Sequence, residues 1–226
     1  MDDFGKLVLY AGDRNISSWS MRAYVALVEK DLPFEERTIP LREDGDRSRR
    51  RSVSPTGRVP VLYHETPGGR LVLPDSLAII EYLEETFPAP RYPALWPSGA
   101  RQRAHARWLA AAMHSGFSKL RESMSFHLCF LPQPPPATAE ALAEATEILA
   151  LWEDALAEKS SPGPFLFGPF GAVDAMYAPV VVRLTSFRVP TAEAPRAAPY
   201  MAAVLAHPSV RRWMDPARDI PPAATY

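Results

Sequence analysis

Pro88, Pro90, Pro93 and Pro97 crowd into one short stretch and divide the chain. A proline lacks the amide hydrogen that helices and central strands use, and its ring clashes with the preceding helical turn, so no regular element runs through residues 88–98. The hydrophobic pattern changes at the same place. Before it, apolar runs of strand length alternate with segments of helical period; after it, every apolar segment recurs at helical spacing. Two units are therefore expected, 1–87 and 99–226, joined by a linker at 88–98.

The first unit has a readable order. Lys6, Leu7, Val8, Leu9 and Tyr10 form an apolar run closed by Ala11-Gly12-Asp13, the pattern of a buried strand entering a loop. Ser17 or Ser18 caps the next helix, where Met21, Ala23, Tyr24, Leu27 and Val28 recur at helical spacing until Asp31-Leu32-Pro33 ends it. A strand at 34–39 completes a strand-helix-strand unit, which calls for parallel strands and a right-handed crossover. Residues 42–52 are polar and fit a short exposed helix. Val59, Pro60, Val61, Leu62 and Tyr63 return as a strand, Pro67-Gly68-Gly69 turns it into a hairpin with 70–73, and Asp75 opens a helix running to Phe87. The order β-α-β-α-β-β-α predicts an α/β thioredoxin-like unit. Beyond the linker, helices at 99–127, 138–159, 172–187, 197–206 and 210–214 predict an all-α unit, with Pro132, Pro134, Pro135 and Pro136 separating the first two.

Composition removes several function classes. Lys plus Arg number 25 against 26 Asp plus Glu, so there is no broad basic footprint for nucleic acid or an anionic membrane. The five histidines are scattered without ligand spacing, which leaves metal binding unsupported. Cys129 is the single cysteine and has no CxxC partner, so a packed or idle thiol is expected. With no internal disulfide and no apolar N-terminal leader or spanning run, a cytoplasmic location is predicted.

Three motifs stand in sequence: Gly57-Arg58-Val59-Pro60, then Asp75-Ser76-Leu77-Ala78-Ile79-Ile80-Glu81-Tyr82-Leu83, then Phe170-Gly171-Ala172-Val173-Asp174-Ala175 with Pro179 following. Together with the element order, over nearly the whole chain, they resemble the cytosolic glutathione transferases. That resemblance implies a cis Pro60 turning main-chain Val59 toward glutathione, an acidic-serine start to the third helix, and a buried helix cap at Asp174. Gly171 stands where the family usually has Ser or Thr, so half of that capping box is missing. Ser17-Ser18-Trp19-Ser20-Met21-Arg22 resembles the zeta-class motif of two serines, a cysteine and, three residues on, an arginine, with Trp19 in place of the cysteine. Asp75 replaces the usual zeta glutamine. Met113 to Phe117 with Leu120-Arg121 is more similar to a bacterial group of transferases.

The resemblance assigns chemistry to these residues. A thiol of pKa about 8.5 is only a few per cent ionised near neutral pH, so the protein must favour the thiolate. Ser17 at the start of the first helix is expected to donate a hydrogen bond to the glutathione sulfur, with Ser18 assigned to the helix end as the alternative. Either serine equally fits a plain cap. Asp75 suits the γ-glutamyl ammonium and Ser76 its carboxylate, although an ordinary aspartate cap looks the same in sequence. Arg58, or one of Arg47, Arg49, Arg50 and Arg51, is the candidate for the glycine carboxylate, set against a solvated basic face. His114, Phe117 and Arg121 share one face at spacings typical of the electrophile wall, but a core stripe has the same spacing and is the better reading for Phe117. The function implied is a glutathione transferase acting as a homodimer on small hydrophobic electrophiles. A glutathione-dependent cis-trans isomerase of the maleylacetoacetate type is the alternative, and a non-catalytic ligand- or protein-binding module a third. Retention of Ser17, Asp75 and Ser76 together argues against the last.

Overall fold

The computed structural model describes residues 4–41 and 46–221. Strand β1 (Lys6–Gly12), helix α1 (Ser18–Glu29) and strand β2 (Glu35–Ile39) form the expected unit with parallel strands. Helix α2 (Asp46–Val53), the hairpin β3 (Val61–Thr66) and β4 (Gly69–Leu73), and helix α3 (Ser76–Thr86) follow. The strand order is β2-β1-β3-β4, with β3 antiparallel to both neighbours. Leu7, Leu9 and Ala11 alternate along β1, as a period of two demands, and join Leu62, Ile79, Ile80 and Leu83 in the core. This is the thioredoxin-like arrangement. Of the expected helix at 42–52, residues 42–45 lie outside the described residues.

The helical part contains α4 (Ala100–Ser115), α5 (Ser118–Ser123), a 3₁₀ turn (Phe126–Phe130), α6 (Ala139–Glu158), α7 (Ala172–Ser186), α8 (Ala197–Ala206) and α9 (Pro208–Arg218). The single helix expected at 99–127 is thus three elements. The break is at Gly116, whose N–H still closes α4 by bonding Ala112 O at 2.8 Å, and at Phe117, which takes a left-handed φ of 57°. That bend turns the Phe117 ring into the core, and α5 starts again in a new direction. α9 begins earlier than expected because Pro208 occupies its first turn, where a missing N–H costs nothing.

Helix α7 is the spine of the molecule. Every residue from Ala172 to Leu184 is buried, and α1, α4 and α8 pack around it. Asp174 caps it from inside: Oδ2 accepts from Gly171 N–H at 2.9 Å and Oδ1 from Leu166 N–H at 3.2 Å. The missing half of the capping box has a steric cause. A Cβ at Gly171 would lie 2.6 Å from Leu95 O, because Ala172 N–H donates to that carbonyl at 2.8 Å.

That contact also shows that residues 88–98 are a fixed connection and not a loose spacer. Leu95 and Trp96 are buried, and Leu95 N–H donates to Glu84 Oε2 at 3.0 Å. Lys30, fully buried at the end of α1, sets its Nζ 2.6 Å from the same carboxylate oxygen and donates to Phe87 O at 2.7 Å. One carboxylate therefore joins α1, α3 and the connection.

Candidate active site

The β1–α1 loop delivers two serines to the mouth of the first helix, where free N–H groups and the helix dipole create positive potential. Ser17 is the N-cap. Its Oγ accepts from Ser20 N–H at 3.3 Å and donates to Ser20 Oγ at 2.8 Å, and Ser20 Oγ accepts from Gly12 N–H at 3.0 Å. Ser18 opens the helix, and its Oγ accepts a hydrogen bond at 3.1 Å from Arg183 Nη2, reaching across from α7. The capping role expected of Ser18 thus falls to Ser17. Both serines line a cleft of about 780 Å³.

The loop itself is held from far downstream. Trp213 Nε1 donates to Arg14 O at 3.0 Å, Arg14 Nη1 donates to Arg212 O at 2.9 Å, and Asn15 Nδ2 donates to Ile220 O and Pro221 O, each at 3.2 Å.

Arg58, Val59, Pro60, Asp75 and Ser76 line the same cleft. The Val59–Pro60 peptide is cis, and Gly57 just ahead of it has a φ of 67°, which a residue with a Cβ adopts only at a cost. Asp75 caps α3, with Oδ1 accepting from Leu77 N–H and Ala78 N–H, each at 2.9 Å. Ser76 is fully buried, and its Oγ has no hydrogen-bond partner among the described residues. A buried hydroxyl left unpaired at a helix start suits an anionic group such as an amino-acid carboxylate, so this corner fits the γ-glutamyl end of glutathione. Of the arginine candidates, Arg50 and Arg58 line the cleft, whereas Arg49 and Arg51 are exposed away from it. The Arg47 side chain lies outside the described residues.

His114 and Arg121, from the helical part, also line the cleft; Phe117 does not, because its left-handed backbone sends the ring into the core. Phe126 lines the cleft beside them, as does Trp19, the cysteine replacement. His114 meets it edge-on at 5.1 Å between centroids, and the Arg22 and Arg121 guanidinium carbons lie 4.3 and 5.7 Å from its ring. Sequence reading missed Arg183. Its signal was a lone cation in the otherwise apolar run of α7. Cys129 lies outside the cleft, and burial pushes its thiol up to about 11, which keeps it protonated and inert. Among the described residues no group of three His, Cys, Asp or Glu is arranged to hold a metal ion, and no helix is long and apolar enough to cross a membrane.

A thioredoxin-like sheet with a serine helix start, an acidic-serine helix start and a helical wall defines a two-part glutathione-binding protein. Family patterns agree: the glutathione S-transferase N-terminal domain matches residues 16–86, and the glutathione S-transferase C-terminal domain matches 135–215. A glutathione transferase homologue from Burkholderia gl BGR1, solved with bound glutathione, is 33% identical, with a TM-score of 0.68 over 96% of this chain and 99% of that one. The chain belongs to the glutathione S-transferase family. A probable maleylacetoacetate isomerase of Caenorhabditis elegans is 36% identical over 115 residues, 51% of this chain and 50% of that protein. The chain thus spans about half the length of the curated relatives it matches. The maleylacetoacetate isomerase of Anaeromyxobacter dehalogenans, solved with dicarboxyethyl glutathione and citrate in its active site, is 25% identical, with a TM-score of 0.70 over 97% of this chain and 94% of that one.

Proposed function

We propose that the protein binds glutathione in this cleft, ionises its thiol and presents the sulfur to a small hydrophobic electrophile. The observation that carries this reading is the convergence of two helix starts on one cleft, Ser17-Ser18 at α1 and Asp75-Ser76 at α3, with the buried Ser76 hydroxyl unpartnered. Asp75 takes the ammonium of the γ-glutamyl group, Ser76 its carboxylate, main-chain Val59 beside Pro60 the peptide, and Arg50 or Arg58 the glycine carboxylate. His114, Arg121 and Trp19 form the electrophile wall. In this reading residues 1–87 are the glutathione unit, 88–98 the connection and 99–226 the helical unit.

A ligand selective for the folded state stabilises it by RT ln(1 + [L]/Kd), so millimolar glutathione should raise the melting temperature. No shift overturns the reading. An activity screen with glutathione over chloronitrobenzene, peroxide, disulfide and maleyl substrates then assigns the reaction. The second reading, a glutathione-dependent cis-trans isomerase, is favoured by the maleylacetoacetate isomerases among the relatives, while Trp19 and Asp75 depart from the zeta pattern. Turnover of a maleyl substrate without net loss of glutathione would establish it.

We further propose a homodimer working in the cytoplasm. Trp108 on α4 and Leu71 on β4 are 54% and 40% exposed, large apolar side chains that suit a subunit contact. Light scattering at micromolar concentration should give twice the chain mass; a monomer refutes the dimer.

A further inference from the structure

Arg183 sits 3% exposed in a helix that is otherwise almost wholly apolar. Its three nitrogens are all used: Nε donates to Met124 O at 2.8 Å, Nη1 to Pro179 O at 3.3 Å and Nη2 to Ser18 Oγ at 3.1 Å. None of these acceptors is charged. The charged or ionisable groups facing it are Arg121 from α5, Arg22 from α1 and Cys129 from the 3₁₀ turn, and Arg183 forms no ion pair among the described residues. Burial lowers Arg183 to about 10 and Arg22 to about 9, so both remain cationic at neutral pH. Arg22 is fully buried, and none of its guanidinium nitrogens has a hydrogen-bond partner among the described residues. Asp75 is the carboxylate whose charge reaches Arg22, which also lies over the Trp19 ring, but neither arginine has an ion-pair partner among the described residues. Buried cations without one are costly, and an anion settling beside them offsets that cost.

The hydroxyls decide where the anion goes. Ser17 gives its one hydroxyl proton to Ser20 Oγ and accepts from Ser20 N–H. Ser18 receives a charge-assisted hydrogen bond from Arg183, which leaves its own proton to be given away, and Ser18 and Arg183 both line the cleft. Resting on the reading that glutathione occupies this cleft, we propose that Arg183 is a positioning residue for the thiolate: it holds Ser18 so that the Ser18 hydroxyl donates to the sulfur, and its charge offsets the sulfur's. In this step the thiol passes its proton to water and the sulfur keeps the electron pair; no bond to carbon forms. The helical unit thereby takes part in activating glutathione, beyond walling in the electrophile.

The test is a pH titration of thiolate ultraviolet absorbance in the glutathione complex, alongside calorimetric binding, for the parent and for Ser17→Ala, Ser18→Ala, Arg183→Gln and Arg183→Lys. Arg183→Gln and Ser18→Ala should each raise the pKa of bound glutathione by about one to two units, roughly a ten- to hundredfold loss of thiolate near neutral pH, with binding itself little changed. In the Ser18→Ala background, Arg183→Gln should add less than it does alone, because part of its effect passes through Ser18. Arg183→Lys keeps the charge but loses the fork; it should give a smaller rise and is the variant to read if Arg183→Gln does not fold. A parent that binds no glutathione overturns the cleft reading and this proposal together. Intact binding with an unmoved thiol pKa in the Arg183 variants, or a shift in Ser17→Ala with none in Ser18→Ala, overturns the proposal alone.

Discussion

His114 Nε2 lies 3.1 Å from Asp75 Oδ2, so helix α4 grips the carboxylate that caps α3. Both Asp75 oxygens are thereby engaged before any ligand arrives, one by Leu77 and Ala78 N–H and the other by His114. In the proposed binding mode, the ligand ammonium would meet a carboxylate that is already oriented. Asp75→Ala should raise the KM for glutathione severalfold while kcat at saturation changes less, because the contact is far from sulfur and alike in ground and transition states. It should also cost about 1 kcal/mol of stability as a lost cap. Steady-state kinetics beside a urea melt check both; a pure loss in kcat would mean that Asp75 acts at the sulfur.

The same pair gives a pH dependence with a definite sign. Burial, and behind it the Arg22 and Arg121 charges, lowers the His114 pKa from its ordinary 6.5, with Asp75 pulling the other way. The unfolded chain therefore binds a proton that the folded one does not over the window just below about 6.5. The stability linked to His114 is present above that value and is lost as pH falls through the window. His114→Asn should flatten this part of the profile. Melting temperatures from pH 5 to 7.5 for both proteins test it, and identical slopes would refute it.

Restoring the family's usual residue at the α7 cap should do harm. Gly171→Ser completes the capping box on paper but drives a Cβ to 2.6 Å from Leu95 O. The connection would have to move, at a cost of about 1–3 kcal/mol. Asp174→Ala should cost at least as much, because it strands the buried N–H groups of Gly171 and Leu166. Urea unfolding midpoints decide, and a stabilised Gly171→Ser variant would contradict the steric account.

Lys30→Met removes a buried cation that holds Glu84 and the Phe87 carbonyl together. Breaking such a pair leaves an uncompensated charge and is expected to cost about 3 kcal/mol, the low end of the usual range, since Glu84 keeps some contact with water. The double variant Lys30→Met with Glu84→Gln should recover part of this loss in the same measurement.

How far the sequence spoke depends on the range of the forces involved. The strand-helix-strand order was readable because apolar period is a local signal, and Leu7, Leu9 and Ala11 alternate as a buried strand must. The break after α4 was not. Gly116 is compatible with a helix interior at modest cost, and only the pull of the core on Phe117 chooses the left-handed exit. Within the site, Asp75 and Ser76 announced themselves as a helix start. The division of labour between Ser17 and Ser18 did not, because it depends on Arg183, 165 residues away. Trp19 was visible only as a departure from a motif, since nothing local says that its ring would stand between Arg22 and His114.

The grip on the β1–α1 loop reaches further still. Asn15 bonds carbonyls 205 and 206 positions downstream, and Trp213 bonds Arg14 O across 199. During synthesis, the loop that carries both serines is made long before the residues that anchor it, Trp213, Ile220 and Pro221. The sheet has all its strands once residue 73 is made, yet the contacts that hold the β1–α1 loop arrive only with α9 and the residues just after it. A nascent chain can therefore complete its sheet well before the β1–α1 loop has its anchors, so the ordering of the two serines is a late step relative to the strands around them.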